Sequence, residues 1–174
     1  MVVCCQYLNP PERRRVSVEL EQAQQLAHTL LAEHNLTRWS FRFDHARQRC
    51  GSCNYSQREI TLSRHFTRMN DATEVRATLL HEIAHALVGP GHGHNHTWRQ
   101  TAQRIGAPVQ ATNLEAAMPT PRWSLMCEDC GRCVAQRHRR ALKLDYTRCG
   151  YCGPKAGKLY WQASNAADRS VPLS

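Results

Sequence analysis

The chain has 174 residues, 41% of them hydrophobic, and carries 23 Lys+Arg against 14 Asp+Glu for a net charge of +9. That length supports one core of ordinary size and a small appendage. The composition excludes the disordered class, and no apolar run approaches the roughly 18 residues of a transmembrane helix. Nine cysteines and ten histidines are many for this length, so metal binding is the first question. The start, MVVCCQYLNPPERRR, places its charges after a very short apolar stretch, the wrong order for a signal peptide. A cytoplasmic, nucleoid-associated or nuclear location is expected rather than secretion, and there closely spaced cysteines read as metal ligands before disulfides.

Residues 1–16 read as a flexible leader, because Pro10-Pro11 and Arg13-Arg14-Arg15 discourage helix. From Ser17, taken as an N-cap, Leu20, Ala23, Ala27, Leu30 and Leu31 recur at helical steps, and Asn35 supplies the stop. The alternation of Trp39-Ser-Phe-Arg-Phe predicts a strand, Arg47 to Tyr55 a second strand with a turn, and Glu59 to Ser63 a third. Together they predict a small antiparallel sheet. Asp71-Ala-Thr-Glu74 has the form of a capping box, opening a helix over 73–88 that Gly89-Pro90-Gly91 ends. A histidine-rich loop, His92 to His96, leads into a helix over 97–105. Residues 107–122 read as a proline-containing linker, with one helical turn allowed over Leu114 to Met118. Residues 123–163 form a cysteine-rich segment, and 164–174 a polar tail.

His81-Glu82-Ile83-Ala84-His85 is an H-E-x-x-H sequence inside the predicted helix 73–88. Residues four apart are neighbours on a helix face, so both imidazoles can reach one ion. Glu82 lies about 100° round the helix, beside the ion rather than on it, where it can take a proton from water. Leu79, Leu80, Ile83 and Leu87 are expected to form the opposite, core face. A catalytic zinc takes three protein ligands. His92, His94 and His96 are all candidates for the third, and Gly91 excludes a His six residues after the second.

These residues resemble the SprT-like metalloprotease family, which includes the DNA–protein crosslink protease Spartan. The resemblance rests on H-E-x-x-H and on Gly93-His94 with the aromatic Trp98 four residues later. It extends to Trp39-Phe41-Phe43-Asp44, the strand 58–63 and Asn70, and spans residues 17–106. It implies His94 as third zinc ligand, Trp98 as a packing residue fixing the His94 loop, and an α+β zincin-like fold. It further implies peptide hydrolysis with Glu82 as general base and substrates crosslinked to or associated with DNA.

Cys127-x2-Cys130 and Cys149-x2-Cys152, eighteen residues apart, have the spacing of a zinc ribbon. Gly131 and Gly153 follow each pair, where such turns need positive φ. The matching Cys-x-x-Cys-Gly form at both ends favours these four over Cys133. Two zinc ions are therefore expected, one catalytic and one structural. A further metal at Cys50 and Cys53 is disfavoured, with only the remote Cys4 and Cys5 as partners.

Residues 121–174 hold ten Lys+Arg and four Asp+Glu. Arg137, Arg139 and Arg140 cluster between the cysteine pairs, and Tyr146, Tyr151 and Trp161 add aromatics that can stack on bases. Nucleic acid, in particular DNA, is the expected partner, with no membrane role and a monomer as default. Two rival readings stand: a zinc peptidase without a nucleic-acid role, and a non-catalytic nucleic-acid-associated factor, for example in transcription, with structural zinc.

Overall fold

The computed structural model describes residues 17–110, 116–140, 144, 147–153 and 155–164. The leader 1–16 with Cys4 and Cys5, Tyr146 and the tail from 165 lie outside these residues. The chain divides into two compact units, one within 9–119 and the other from Thr120 onward. No helix among the described residues is long and apolar enough to cross a membrane.

The first unit begins with helix α1 (Leu20–Glu33), whose Ala23, Ala27, Leu30 and Leu31 are buried at the predicted steps. The N-cap is Glu19, without a side-chain cap bond, so Ser17 does not cap the helix as expected. Asn35 does mark the stop, with φ of 58° in the left-handed region that Asn tolerates. Strands β1 (Ser40–Asp44), β2 (Gly51–Asn54) and β3 (Glu59–Ser63) form a sheet in the order β1-β3-β2. The expected antiparallel pairing holds for β2 and β3, but β1 lies parallel to β3, making the sheet mixed. The reason is topological: the 45–50 connection carries the chain across β3 rather than turning back beside β1.

Alternation gives the sheet two different faces. Phe41, Phe43, Ile60 and Leu62 face a core completed by α1 and α3. The other face is polar, with Asp44, Ser52 and Thr61 joined by hydrogen bonds and the Ser63 hydroxyl donating to Ala46 O. A short helix that the hydrophobic pattern did not predict, α2 (Arg64–Met69), follows β3, capped by the Ser63 hydroxyl accepting from Phe66 N.

Helix α3 (Ala72–Val88) opens as predicted, with the Asp71 carboxylate accepting from the N–H groups of Thr73 and Glu74. Its Val75, Leu79, Leu80 and Ile83 are buried. Leu87 is 36% exposed, whereas Ala86 and Val88 pack on the core, so Leu87 does not belong to the core face as expected. Helix α4 (His96–Arg104) is capped by Asn95 and buries Trp98, Thr101 and Ala102.

The segment expected to be a linker is partly packed. Ala107 is buried, and Ala116 and Met118 lie against the core. Fully buried Asn70 explains this. Its amide donates to Phe66 O at 2.7 Å and Ala117 O at 2.8 Å, and its carbonyl accepts from Ala117 N at 2.8 Å. Residues 116–118 carry no helical turn.

The second unit is a three-stranded antiparallel sheet of β4 (Trp123–Cys127), β5 (Cys133–Arg137) and β6 (Leu159–Ala163), ordered β5-β4-β6. Its core is small: Leu125, Cys127, Cys149 and Leu159, with Trp161 and Val134 among the residues packed on them.

Asn70→Ala leaves three backbone groups short of a partner, the buried Phe66 O and the part-buried Ala117 N and O. The expected cost is about 2–3 kcal/mol in urea unfolding. Asn70→Asp loses both donated bonds, so it should be no better than Ala; wild-type stability in either variant would show the clasp to be inert.

Candidate metal centres and the Glu82 site

Helix geometry carries His81 and His85 on one face of α3, and the turn at Gly89 (φ 83°) starts the loop that returns His94 to them. The Nε2 atom of His94 lies 3.0 Å from that of His81 and 3.2 Å from that of His85. Three nitrogens bound to one zinc at about 2.0–2.1 Å stand about 3.3 Å apart in a tetrahedron, so the set fits the ion. Burial, then the neighbouring histidines, hold the His81 pKa at about 4, and burial and His94 do the same for His85. Both rings are therefore neutral at pH 7, the form that binds metal. His92 pairs with Asn95 and His96 starts α4, exposed; neither belongs to the cluster.

Trp98, wholly buried, packs against all three imidazoles, with ring centroids 4.7 Å from His81, 5.2 Å from His85 and 4.6 Å from His94. It thus backs the cluster from α4 and limits the rotamers of each ring.

Glu82 is 8% exposed, and burial pushes its carboxyl up to about 7, opposed by the charge of Arg49. It lies against the start of β2. A Cβ at position 51 would stand 3.1 Å from Glu82 Cγ, 3.2 Å from Glu82 Oε1 and 3.0 Å from Thr61 O. Gly51 is thus the residue that lets the carboxylate and the strand meet. The sequence signal was present, since glycine inside a strand marks a close approach, but Gly51 reads equally well as part of a turn.

In the second unit Cys127, Cys130, Cys149 and Cys152 come together. The Sγ atoms of Cys127 and Cys152 are 3.7 Å apart, and those of Cys130 and Cys149 3.8 Å. Four sulfurs at about 2.3 Å from one zinc stand about 3.8 Å apart, so this set also fits. Gly131 and Gly153 have φ of 66° and 86°, and their N–H groups donate to Cys127 O and Cys149 O, closing each turn. Cys133 sits at the head of β5 outside the group, its thiol directed at Ala135 O.

Gly157 went unnoticed in the sequence. Its N–H donates to the Asp129 carboxylate in the first turn and its C=O accepts from Cys149 N in the second, so it ties the two turns together. A Cβ there would lie 2.6 Å from Cys149 Cβ. Among the described residues Cys50 and Cys53 belong to no metal-binding group.

The basic cluster is exposed at Arg137, Arg139 and Arg140. Arg140 stacks over the Trp123 ring at 4.2 Å and Arg132 over the Tyr151 ring at 4.6 Å. Tyr151 is 54% exposed, but Trp161 packs into the small core and offers less stacking surface than expected.

Residues 20–120 match the SprT-like family. Among solved structures, the chain is similar to the crystal structure of the metallopeptidase zymogen jannalysin of Methanocaldococcus jannaschii. The identity is 14% and the TM-score 0.41, over 47% of this chain and 79% of that one. No curated protein matches the chain.

Gly51→Ala should lower stability by about 1–3 kcal/mol, the usual cost of overpacking. Ser52→Ala, one residue along on the polar face, should cost less. Equal unfolding midpoints for Gly51→Ala and wild type would mean that Glu82 is not seated against β2.

Proposed function

Because the chain belongs to the SprT-like family, we propose that it is a zinc metallopeptidase acting on protein held on or crosslinked to DNA. His81, His85 and His94 hold the catalytic zinc; Cys127, Cys130, Cys149 and Cys152 hold the structural one. The observation that carries the hydrolase reading is the convergence of three imidazole nitrogens beside a buried carboxylate at the entrance to β2. Zinc bound there supplies a Lewis acid that polarises a peptide carbonyl and acidifies water.

The protein's own residues do the rest. Neutral His81 and His85 leave the ion its positive charge, and Trp98 keeps the rings in place. Glu82 takes a proton from the attacking water and returns it to the departing amine. Burial raises the Glu82 carboxyl above its ordinary value, which makes it a better proton acceptor.

The DNA part of the reading is supported by exposed Arg137 and Arg139, by the Arg140–Trp123 and Arg132–Tyr151 stacks, and by the excess of basic residues after 120. Arginine suits bidentate contact with phosphate, and an exposed ring offers a face to a base.

Metal analysis and a cleavage assay test the hydrolase. Wild type should hold two zinc ions per chain, and His94→Ala and Cys149→Ser one each. Glu82→Gln should keep both ions yet lose cleavage by about 100- to 10,000-fold. Wild type that cleaves no protein, with or without DNA, would favour the non-catalytic nucleic-acid-associated factor.

Retention on a DNA column at rising salt tests the partner. Binding should weaken steeply with salt and vanish when residues 121–174 are deleted. Equal cleavage with and without DNA, together with no retention at low salt, would leave a general zinc peptidase.

A further inference from the structure

The carboxylate's seat depends on residues that touch neither metal nor substrate. We propose that Arg49 and Asp44 form a clamp on the polar face of the sheet that holds the 45–50 connection and thereby seats Gly51 against Glu82. The inference rests on the peptidase reading, and it makes Arg49 a positioning residue for that reaction.

The connection is pinned at several points. The Asp44 carboxylate accepts from Ala46 N at 2.8 Å, from the Thr61 hydroxyl at 2.8 Å and from Arg49 Nη1 at 2.7 Å. Arg49 also reaches the Thr61 hydroxyl at 3.4 Å, and Thr61 shares a hydrogen bond with Ser52 at 2.8 Å. The Ser63 hydroxyl donates to Ala46 O at 2.6 Å, and Ser63 N to Cys50 O at 2.8 Å. All but the Asp44–Thr61 bond, which joins β1 to β3, tie the connection or β2 to β1 or β3.

The residue that leaves this girdle is Gly51, and it has no slack. Its α-carbon faces Glu82 on one side of the strand, and Thr61 O would lie only 3.0 Å from a Cβ there. A shift of the connection therefore moves the floor beneath the carboxylate. The order of the polar face thus reaches Glu82 through the backbone at Gly51, beside the direct effect of the Arg49 charge on the carboxyl. Burial alone would drive the Asp44 carboxyl upward, but the bonds from Ala46, Thr61 and Arg49 hold it below its ordinary value, so it stays charged for Arg49.

The same sheet contains an internal control. Arg42 pairs with Glu59 at 2.8 Å, on the β1–β3 side and apart from the connection. It is the same chemistry without the link to Gly51.

Arg49→Met, Arg49→Lys and Arg42→Met in the full zinc-loaded chain test the proposal with two readouts. The first is amide exchange at Ser63, whose N–H is bonded to Cys50 O. It should rise about tenfold in Arg49→Met and stay at the wild-type rate in Arg42→Met. The second is steady-state cleavage. In Arg49→Met, kcat should fall about ten- to a hundredfold with KM within a few fold and zinc content intact. Arg49→Lys, which can still pair with Asp44, should recover part of that loss. Unchanged exchange at Ser63 overturns the clamp whatever the activity. Raised exchange with wild-type kcat overturns the link to Glu82. Wild type without any cleavage overturns the peptidase reading instead, and the exchange rates still decide whether Arg49 holds the connection.

Discussion

Burying a carboxylate is costly unless the surroundings are built for it, and the histidine unit is organised around that cost. Glu82 is 8% exposed and next in sequence to a histidine that must stay accessible to an ion. One helical residue separates the two demands. The helix can satisfy both only if something flat and small lies beside it, and the first residue of β2 is that surface. The mixed sheet is compatible with the same requirement. By crossing β3 and entering β2 from the far edge, the chain delivers Gly51 to α3, and the polar residues over which it crosses become the fasteners of the crossing.

Much of this was legible from spacing. The i, i+4 histidines, the Asp71 cap and the glycine stop define α3 with little room for another reading, and the matched Cys-x-x-Cys-Gly pairs do the same for the second unit. The choice among His92, His94 and His96 was open to spacing alone; the structure brings His94 to the cluster and leaves the other two in the loop and at the helix start. The parallel placement of β1 was illegible, because alternation reports which face a residue takes, not the direction of its neighbour. Helix α2 is six residues long, too short for a period to show. Leu87 was assigned by its angle on the helix wheel, which does not say that Ala86 and Val88 take the packing positions of the last turn. Asn70 and Gly157 act through contacts remote in sequence, which spacing does not report, and Gly51 carried only the ambiguous signal of a glycine in a strand.

The two metal-binding groups differ in what stands behind them. The histidines are set in a core that includes Phe66, Leu79, Ile83 and Trp98. The cysteines supply two of the four buried residues of their own core. In the first unit the fold prepares the ligands. In the second the candidate ligands are a large part of the fold, so a metal taken there would be coupled to folding.

The Asn70–Ala117 clasp has a consequence for how the first unit comes apart. It joins residues 47 apart in the chain, and both α3 and α4 lie inside the loop it closes. Severing it enlarges the freedom of that whole stretch at once, rather than fraying an end. The histidine helix, its returning loop and the tryptophan helix thus lie in one closed loop, while α1, β2 and β3 hold α3 from outside it, so the three imidazoles are fixed from both sides at once.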